Sequence, residues 1–427
     1  MMFNKYFYLT FYITIFCTKS MNKNVEKNKK ALIVSTLKYS TLNNIILKSV
    51  KETLLRKNIN IDFVIVDKTN DEIFNNNEYY KIIKFNDFNK EKDDIIDKLK
   101  EFDSFDFTVQ TDENAVDILG YINSKLNFKG IKLSDSMKFR NKVIMKYLLN
   151  EFIKKPKVYN FEDIENINNF PIVLKPKDSA GSDRVSFLNS KSELLNIISE
   201  LKNKDILENY EIEEYISAPI CHIDGLICKN FIVYCSASEY IGDCYNYLLG
   251  QPLGSVRCQE KQQERALILS KKVHKSLNFP DGAFHMEAFW KDDDFIFLEV
   301  GIRPGGAEVI PAIEEATGIN LSIEHVLLQL GIENRRILNL YNYYGWLNFP
   351  STHIKKDILK IKNIIFPNEL KMPSLRRKYC PNINDEIDKT SVVYAQKLGA
   401  FVFASDNRDE ILKDIEYCKK EYKVELY

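Results

Sequence analysis

None of the eight cysteines forms a Cys-x-x-Cys pair or a zinc-ligand spacing, so a structural zinc site is excluded and reduced, buried thiols are the plain reading. An excess of one charge is missing too. Sixty Lys and Arg balance sixty Asp and Glu, and no net field points to nucleic acid or a membrane surface. A long apolar run is also lacking: Tyr6 to Cys17 is too short to span a bilayer. That stretch, behind Lys5, resembles a signal-type apolar segment without a clear small-residue cleavage site. Met21 offers a second start, so residues 1–30 read as a dispensable or misassigned leader and the protein as cytoplasmic. No internal repeat is present. With 427 residues the chain exceeds one compact core, and roughly two to four domains are expected.

From Ala31 the pattern alternates. Ala31–Ser35, Ile61–Val66 and Phe105–Gln110 read as strands, and Leu42–Lys57 and Asp93–Phe102 as helices. This is the signature of a parallel α/β layer. One helix is expected from Ser136 to Phe152, with Met137, Ile144, Tyr147 and Leu148 on its apolar side and Lys142 pointing elsewhere. Strands Pro171–Lys175, Tyr210–Ile216, His222–Cys228 and Phe231–Ser238 follow, with a helix opened by the capping box Ser190-x-x-Glu193 between the first two. Asn320–Leu330 is helical. The tail from about Tyr341 closes on a helix bearing Ile411, Ile415 and Cys418.

Chemistry concentrates in an apolar hairpin. Phe284–Trp290 and Phe295–Val300 flank the polar stretch Lys291–Asp294. A five-residue loop pairing Trp290 with Ile296 sets Glu287 opposite Glu299, with Cβ atoms about 5 Å apart. His285, Gly301 and Arg303 then share their face, and Met286, Ala288, Trp290, Ile296, Leu298 and Val300 form the core face. Opposed carboxylates call for a divalent cation, and Arg303 for an anion. A register one residue off would instead make both glutamates ordinary surface charges.

Upstream, Lys175-Pro176-Lys177-Asp178-Ser179-Ala180-Gly181-Ser182 has the small residues and hydroxyls of a phosphate cradle. It is no P-loop, since no Gly-Lys-Ser/Thr follows, and a polar turn is the alternative. The strand Glu211–Ile216 offers backbone groups that could read a planar heterocycle, or else is an exposed acidic edge. His222 and Asp224 share one strand face, where a lone histidine is commonly structural. Gly301-Ile302-Arg303-Pro304-Gly305-Gly306 holds an arginine suited to a phosphoryl group or oxyanion, unless it is a turn with a surface arginine.

In order and spacing, these pieces resemble the ATP-grasp superfamily, and most closely its carboxylate–amine ligases, the group of L-amino-acid ligases and carnosine-synthase-like enzymes. The match runs from Ala31 to Leu330. It implies an α/β (α+β) architecture: a parallel domain at 31–135, a two-lobed ATP-grasp domain at 136–340 and a small α+β domain at 341–427. The resemblance makes Lys142 and Lys175 ATP-phosphate ligands and Ser179, Ala180, Gly181 and Ser182 a mobile loop. Glu213, with the backbone of Glu214 and Ile216, becomes the adenine site. Glu287 and Glu299 become the Mg²⁺ ligands, with Mn²⁺ as a substitute, and Arg303 the catalytic arginine.

Two positions depart from the pattern. Gly301 stands where many members have a metal-binding asparagine, and Ile220 where many have a ribose-binding glutamate, a task left to His222 or Asp224. Arg184 is bulky beside the small-residue loop. The resemblance implies ATP-dependent C–N ligation through an acyl phosphate, with small-molecule carboxylate and amine substrates, no nucleic acid, no membrane, and a homodimer as the default state. A bicarbonate- or formate-using carboxylase, for which no biotin-carrier or amidotransferase segment is present, and an ATP-binding regulatory protein are the alternatives.

Overall fold

The computed structural model describes residues 28–38, 40–68, 81–179, 181–334, 336–354, 360–387 and 397–427. Most of the leader and Ala180 of the expected loop lie outside them. No helix among the described residues is long and apolar enough to cross a membrane.

The N-terminal layer is a four-stranded parallel sheet, ordered Lys81–Phe85, Ile61–Lys68, Lys29–Ser35, Phe107–Gln110. The aliphatic run Leu32-Ile33-Val34 is buried on both faces, as a parallel sheet sandwiched by helices requires. Strand Lys81–Phe85 and helix Glu113–Lys125 are additions to the expected set. Asp112 caps that helix, accepting from the N–H groups of Asn114 and Ala115 at 3.2 Å each, and so places Glu113 at its first position.

The helix expected over 136–152 is two helices, Leu133–Arg140 and Lys142–Leu148. Asn141, in extended backbone between them, caps the second through its side chain. The break reverses the expected apolar side. Tyr147 is 86% exposed, while Lys142, Met145 and Lys146 are buried.

A small antiparallel sheet follows, ordered Val158–Tyr159, Tyr210–Glu214, Ile172–Pro176, Ser186–Leu188. The largest sheet has eight strands. Asp294–Gly301, Gly282–Lys291, Ile220–Cys228, Phe231–Ile241 and Leu253–Arg257 continue into Tyr343–Pro350, Lys397–Ser405 and Leu375–Tyr379. The tail expected as a separate domain therefore extends the same sheet, and helix Arg408–Glu421 packs Ile411, Ile415 and Cys418 on it.

Helix Leu321–Gln329 ties the layers together. Val326 and Leu327 pack with Ile33 and Val109 of the parallel sheet, and His325 Nδ1 accepts the Ala283 N–H at 2.8 Å. Gly282, at φ +129°, leaves room that a Cβ would close to 2.6 Å from that nitrogen. Burial pushes the His325 imidazole down to about 4 from its ordinary 6.5. The unfolded chain thus takes up a proton between those values and the folded one does not, so stability is lost as pH falls through that window. From pH 7 to pH 5 the loss is about 2 kcal/mol by linkage from this residue alone. Urea unfolding at both pH values checks it: His325→Asn, which keeps an acceptor but does not titrate, should remove that part of the difference.

Candidate active site

The hairpin turns in two residues, not five. Asp292 and Asp293 both take positive φ (51° and 59°), the geometry of the tight turn that matches strand twist. Pairing runs Lys291↔Asp294, Trp290↔Phe295, Phe289↔Ile296 and Ala288↔Phe297, then shifts to Glu287↔Glu299. The expected Trp290–Ile296 pair is absent, but a bulge at Leu298 supplies the missing residue and restores the opposition of the glutamates. Parity changes in between. Phe295 and Phe297 join Met286, Ala288 and Val300 in one core cluster, whereas Ile296 is half-buried and Leu298, though buried, lies outside that cluster.

The two carboxylates are unequal. Glu287 accepts from Tyr240 Oη at 2.8 Å, and burial together with Glu299 pushes its carboxyl up from the ordinary range. Burial also acts on Glu299, but Lys142 and Lys175 outweigh it and hold that carboxyl low. Lys142 Nζ lies 3.3 Å from Glu299 and also donates to the carbonyl of Ser179. One lysine thus joins the acidic pair to the loop, where Gly181–Arg184 form a turn and Arg184 points to solvent, paired with Asp183.

Lys175 belongs to a buried quartet. It donates to Glu213 and lies 3.7 Å from Glu211, while Lys146 contacts Glu211 at 2.9 Å and Glu213 at 2.5 Å. All four side chains are at most 7% exposed. Burial alone would lower the Lys175 ammonium, yet Glu213 and Glu211 raise it. Glu213, expected at the adenine site, here pairs with both lysines. The Glu214 N–H donates to the Lys157 carbonyl at 2.8 Å, and Ile216 is buried.

His222 is also committed. Its Nδ1 meets Asp224 at 2.6 Å and its Nε2 meets Ser255 Oγ at 2.9 Å, which leaves neither nitrogen for the expected ribose. Asp224 bonds His285 Nδ1 at 2.8 Å as well. Among the described residues these three form the one cluster with metal-ligand proximity, and hydrogen bonding accounts for it. A Cβ at Gly305 would lie 2.5 Å from Asp224 Oδ1, so the turn after Arg303 closes directly over this group.

Arg303 donates from Nε to Glu113 and from Nη1 to the Pro304 carbonyl at 2.9 Å. Arg140 contacts the other Glu113 oxygen at 2.7 Å, Asp117 at 3.0 Å and the Asp178 carbonyl of the loop at 3.2 Å. Glu113, Arg140, Lys142, Ser179, His285, Glu299 and Arg303 line one cavity. Glu113, Arg140, Lys146 and Glu211 are the members that sequence reasoning missed. The Asp112 cap before the Ala115, Val116, Leu119 and Ile122 spacing was the available signal for the first.

No family model matches the chain. A D-alanine--D-alanine ligase of Fusobacterium nucleatum is 25% identical over 160 residues, 36% of this chain and 52% of the relative, so the match spans about half that relative's length. An L-amino acid ligase from Bacillus licheniformis superposes with a TM-score of 0.68 at 16% identity, covering 94% of this chain and 99% of its own. The biotin carboxylase domain of a Hydrogenobacter thermophilus 2-oxoglutarate carboxylase, solved with MgADP, ADP and bicarbonate, gives 0.65 at 14% identity, with 93% and 91% covered. These neighbours share the parallel N-terminal layer and the large antiparallel sheet. By fold, the chain has the ATP-grasp architecture of these neighbours.

Proposed function

We propose that the protein is an ATP-dependent carboxylate–amine ligase working through an acyl phosphate. The observation that carries this reading is the convergence of Lys142, Glu299 and Arg303 on one cavity, with Glu287 opposite Glu299 and Lys175 close enough to hold Glu299 ionised. Two half-buried opposed carboxylates, one pushed toward protonation by burial and by the other, fit a divalent cation. Glu287 and Glu299 would hold Mg²⁺ or Mn²⁺, which supplies charge neutralisation at the phosphates when bound.

The chain's own groups do the rest. Lys142 and Lys175 take up phosphate charge, and Arg303 stabilises charge that develops on the reacting oxygens. A carboxylate oxygen attacks the γ-phosphorus and ADP leaves. The amine nitrogen then bonds the acyl carbon, the bond to phosphate breaks and one N–H proton is released. The segment that Lys142 and Arg140 hold through the carbonyls of Ser179 and Asp178 would exclude water from the acyl phosphate. The likenesses to the D-alanine--D-alanine ligase and to the L-amino acid ligase favour amino acids as both substrates. A bicarbonate-using carboxylase is the second reading, supported by the comparable likeness to the biotin carboxylase domain.

The test is ADP release across amino-acid pairs, with hydroxylamine present to trap the activated acyl group. Substrate-dependent ADP with a hydroxamate supports ligation. ADP release that depends on bicarbonate alone moves the assignment to the carboxylase, and ATP binding without turnover on any acceptor removes both.

A further inference from the structure

Position 301 lies two residues after Glu299 and two before Arg303, and it lines the cavity. A Cβ built there would sit 2.9 Å from Glu113 Oε2 and 3.4 Å from Arg303 Cγ. Oε2 is the oxygen that accepts from Arg303 Nε. The space a side chain at 301 would need is thus filled by a carboxylate delivered from the first turn of helix Glu113–Lys125, 188 positions earlier in the chain. We infer that Glu113 is the positioning residue for Arg303, and that glycine at 301 is what admits it.

The charges and contacts agree. Glu113 lies between two guanidinium groups, Arg303 on one oxygen and Arg140 on the other. Burial would raise its carboxyl, yet Arg303 and Arg140 together bring it down to about 2, so it is an anion at any working pH. An arginine side chain has several rotatable bonds, and fixing its fork requires an anchor on the face away from the substrate. The carbonyl of Pro304 takes Nη1 and Glu113 takes Nε, which leaves Nη2 as the edge directed to other partners. Because the anchor comes from the parallel-sheet domain, Arg303 is set only when that domain is docked. Arg140, through the Asp178 carbonyl, extends the same tie to the loop.

The catalytic consequence rests on the proposed function, whereas the shared space does not, and a double-mutant cycle between the two positions reads both. In Gly301→Ala the new methyl displaces only the flexible end of Glu113, so the fold should persist while the pairing is lost. In Glu113→Ala the methyl has nothing left to displace. Labelling of Arg303 by phenylglyoxal, followed by peptide mass spectrometry with no substrate added, should be about tenfold faster in each single variant, with no further increase in the double. Turnover of the wild-type substrates should fall on the order of tenfold in each single variant without a change in KM for ATP, and the double should match Glu113→Ala. Gly301→Ala with wild-type labelling, or independent additive effects, overturns the inference. A wild-type protein that turns over no substrate while the labelling cycle still couples would sink only the functional reading.

Discussion

Arg303→Ala lowers substrate-dependent ADP formation by roughly 10²- to 10³-fold, about 2–4 kcal/mol of transition-state stabilisation, the range typical of a preorganised donor to developing negative charge. Its side chain is 22% exposed, on the cavity that also holds Lys142 and Glu299. Burial would weaken the guanidinium's charge, but Glu113 holds it firmly protonated. Arg303→Lys separates charge from geometry. An ammonium keeps the charge but loses the planar fork, and should recover only a small part of the rate. Initial-rate measurement of ADP and hydroxamate decides the matter, and near-normal kcat in the alanine variant would remove Arg303 from the chemistry.

Lys146→Met destabilises the protein by about 3–5 kcal/mol, the cost of breaking a buried ion pair from one side. Lys146 is 2% exposed, and Glu211 and Glu213 beside it are equally enclosed. One oxygen of Glu211 already has no hydrogen-bond partner, so removal of the lysine leaves that carboxylate served only by Lys175 at 3.7 Å. Urea-unfolding midpoints measure the effect. The double variant Lys146→Met with Glu211→Gln should regain a large share of the loss, because the uncompensated charge goes with its partner. If the single variant unfolds at the wild-type midpoint, the quartet contributes nothing to stability.

These two residues differ in how far the sequence announces them. Arg303 is visible because proline and glycines fix its turn and a carboxylate precedes it by four positions. Lys146 is not, since a lysine within a short helix reads as solvated until partners 65 and 67 positions away close on it. The same division runs through the fold. Runs such as Leu32-Ile33-Val34 announce buried parallel strands, and the Ser190 cap forms as its motif demands. The break at Asn141 escaped because its flanks keep helical composition, and only the cap bond to Val143 and Ile144 marks it. In the hairpin, a tighter turn and a bulge shifted the register in opposite senses. The glutamates therefore face as expected although the pairs nearer the turn do not. His222, Glu213 and Glu214 carry the right chemistry for a nucleotide, but whether a polar group faces a ligand or a neighbour depends on packing that spacing does not encode.

The quartet holds two cations and two anions, and Glu213 is gripped from both sides. If Lys175 swings toward an arriving phosphate, Glu213 keeps its 2.5 Å contact with Lys146. Each carboxylate keeps a lysine contact, Glu211 at 2.9 Å and Glu213 at 2.5 Å, although one cation then serves two anions. On the proposed function, Lys146 is the stationary counter-ion that stays with both carboxylates when the neighbouring lysine turns to phosphate.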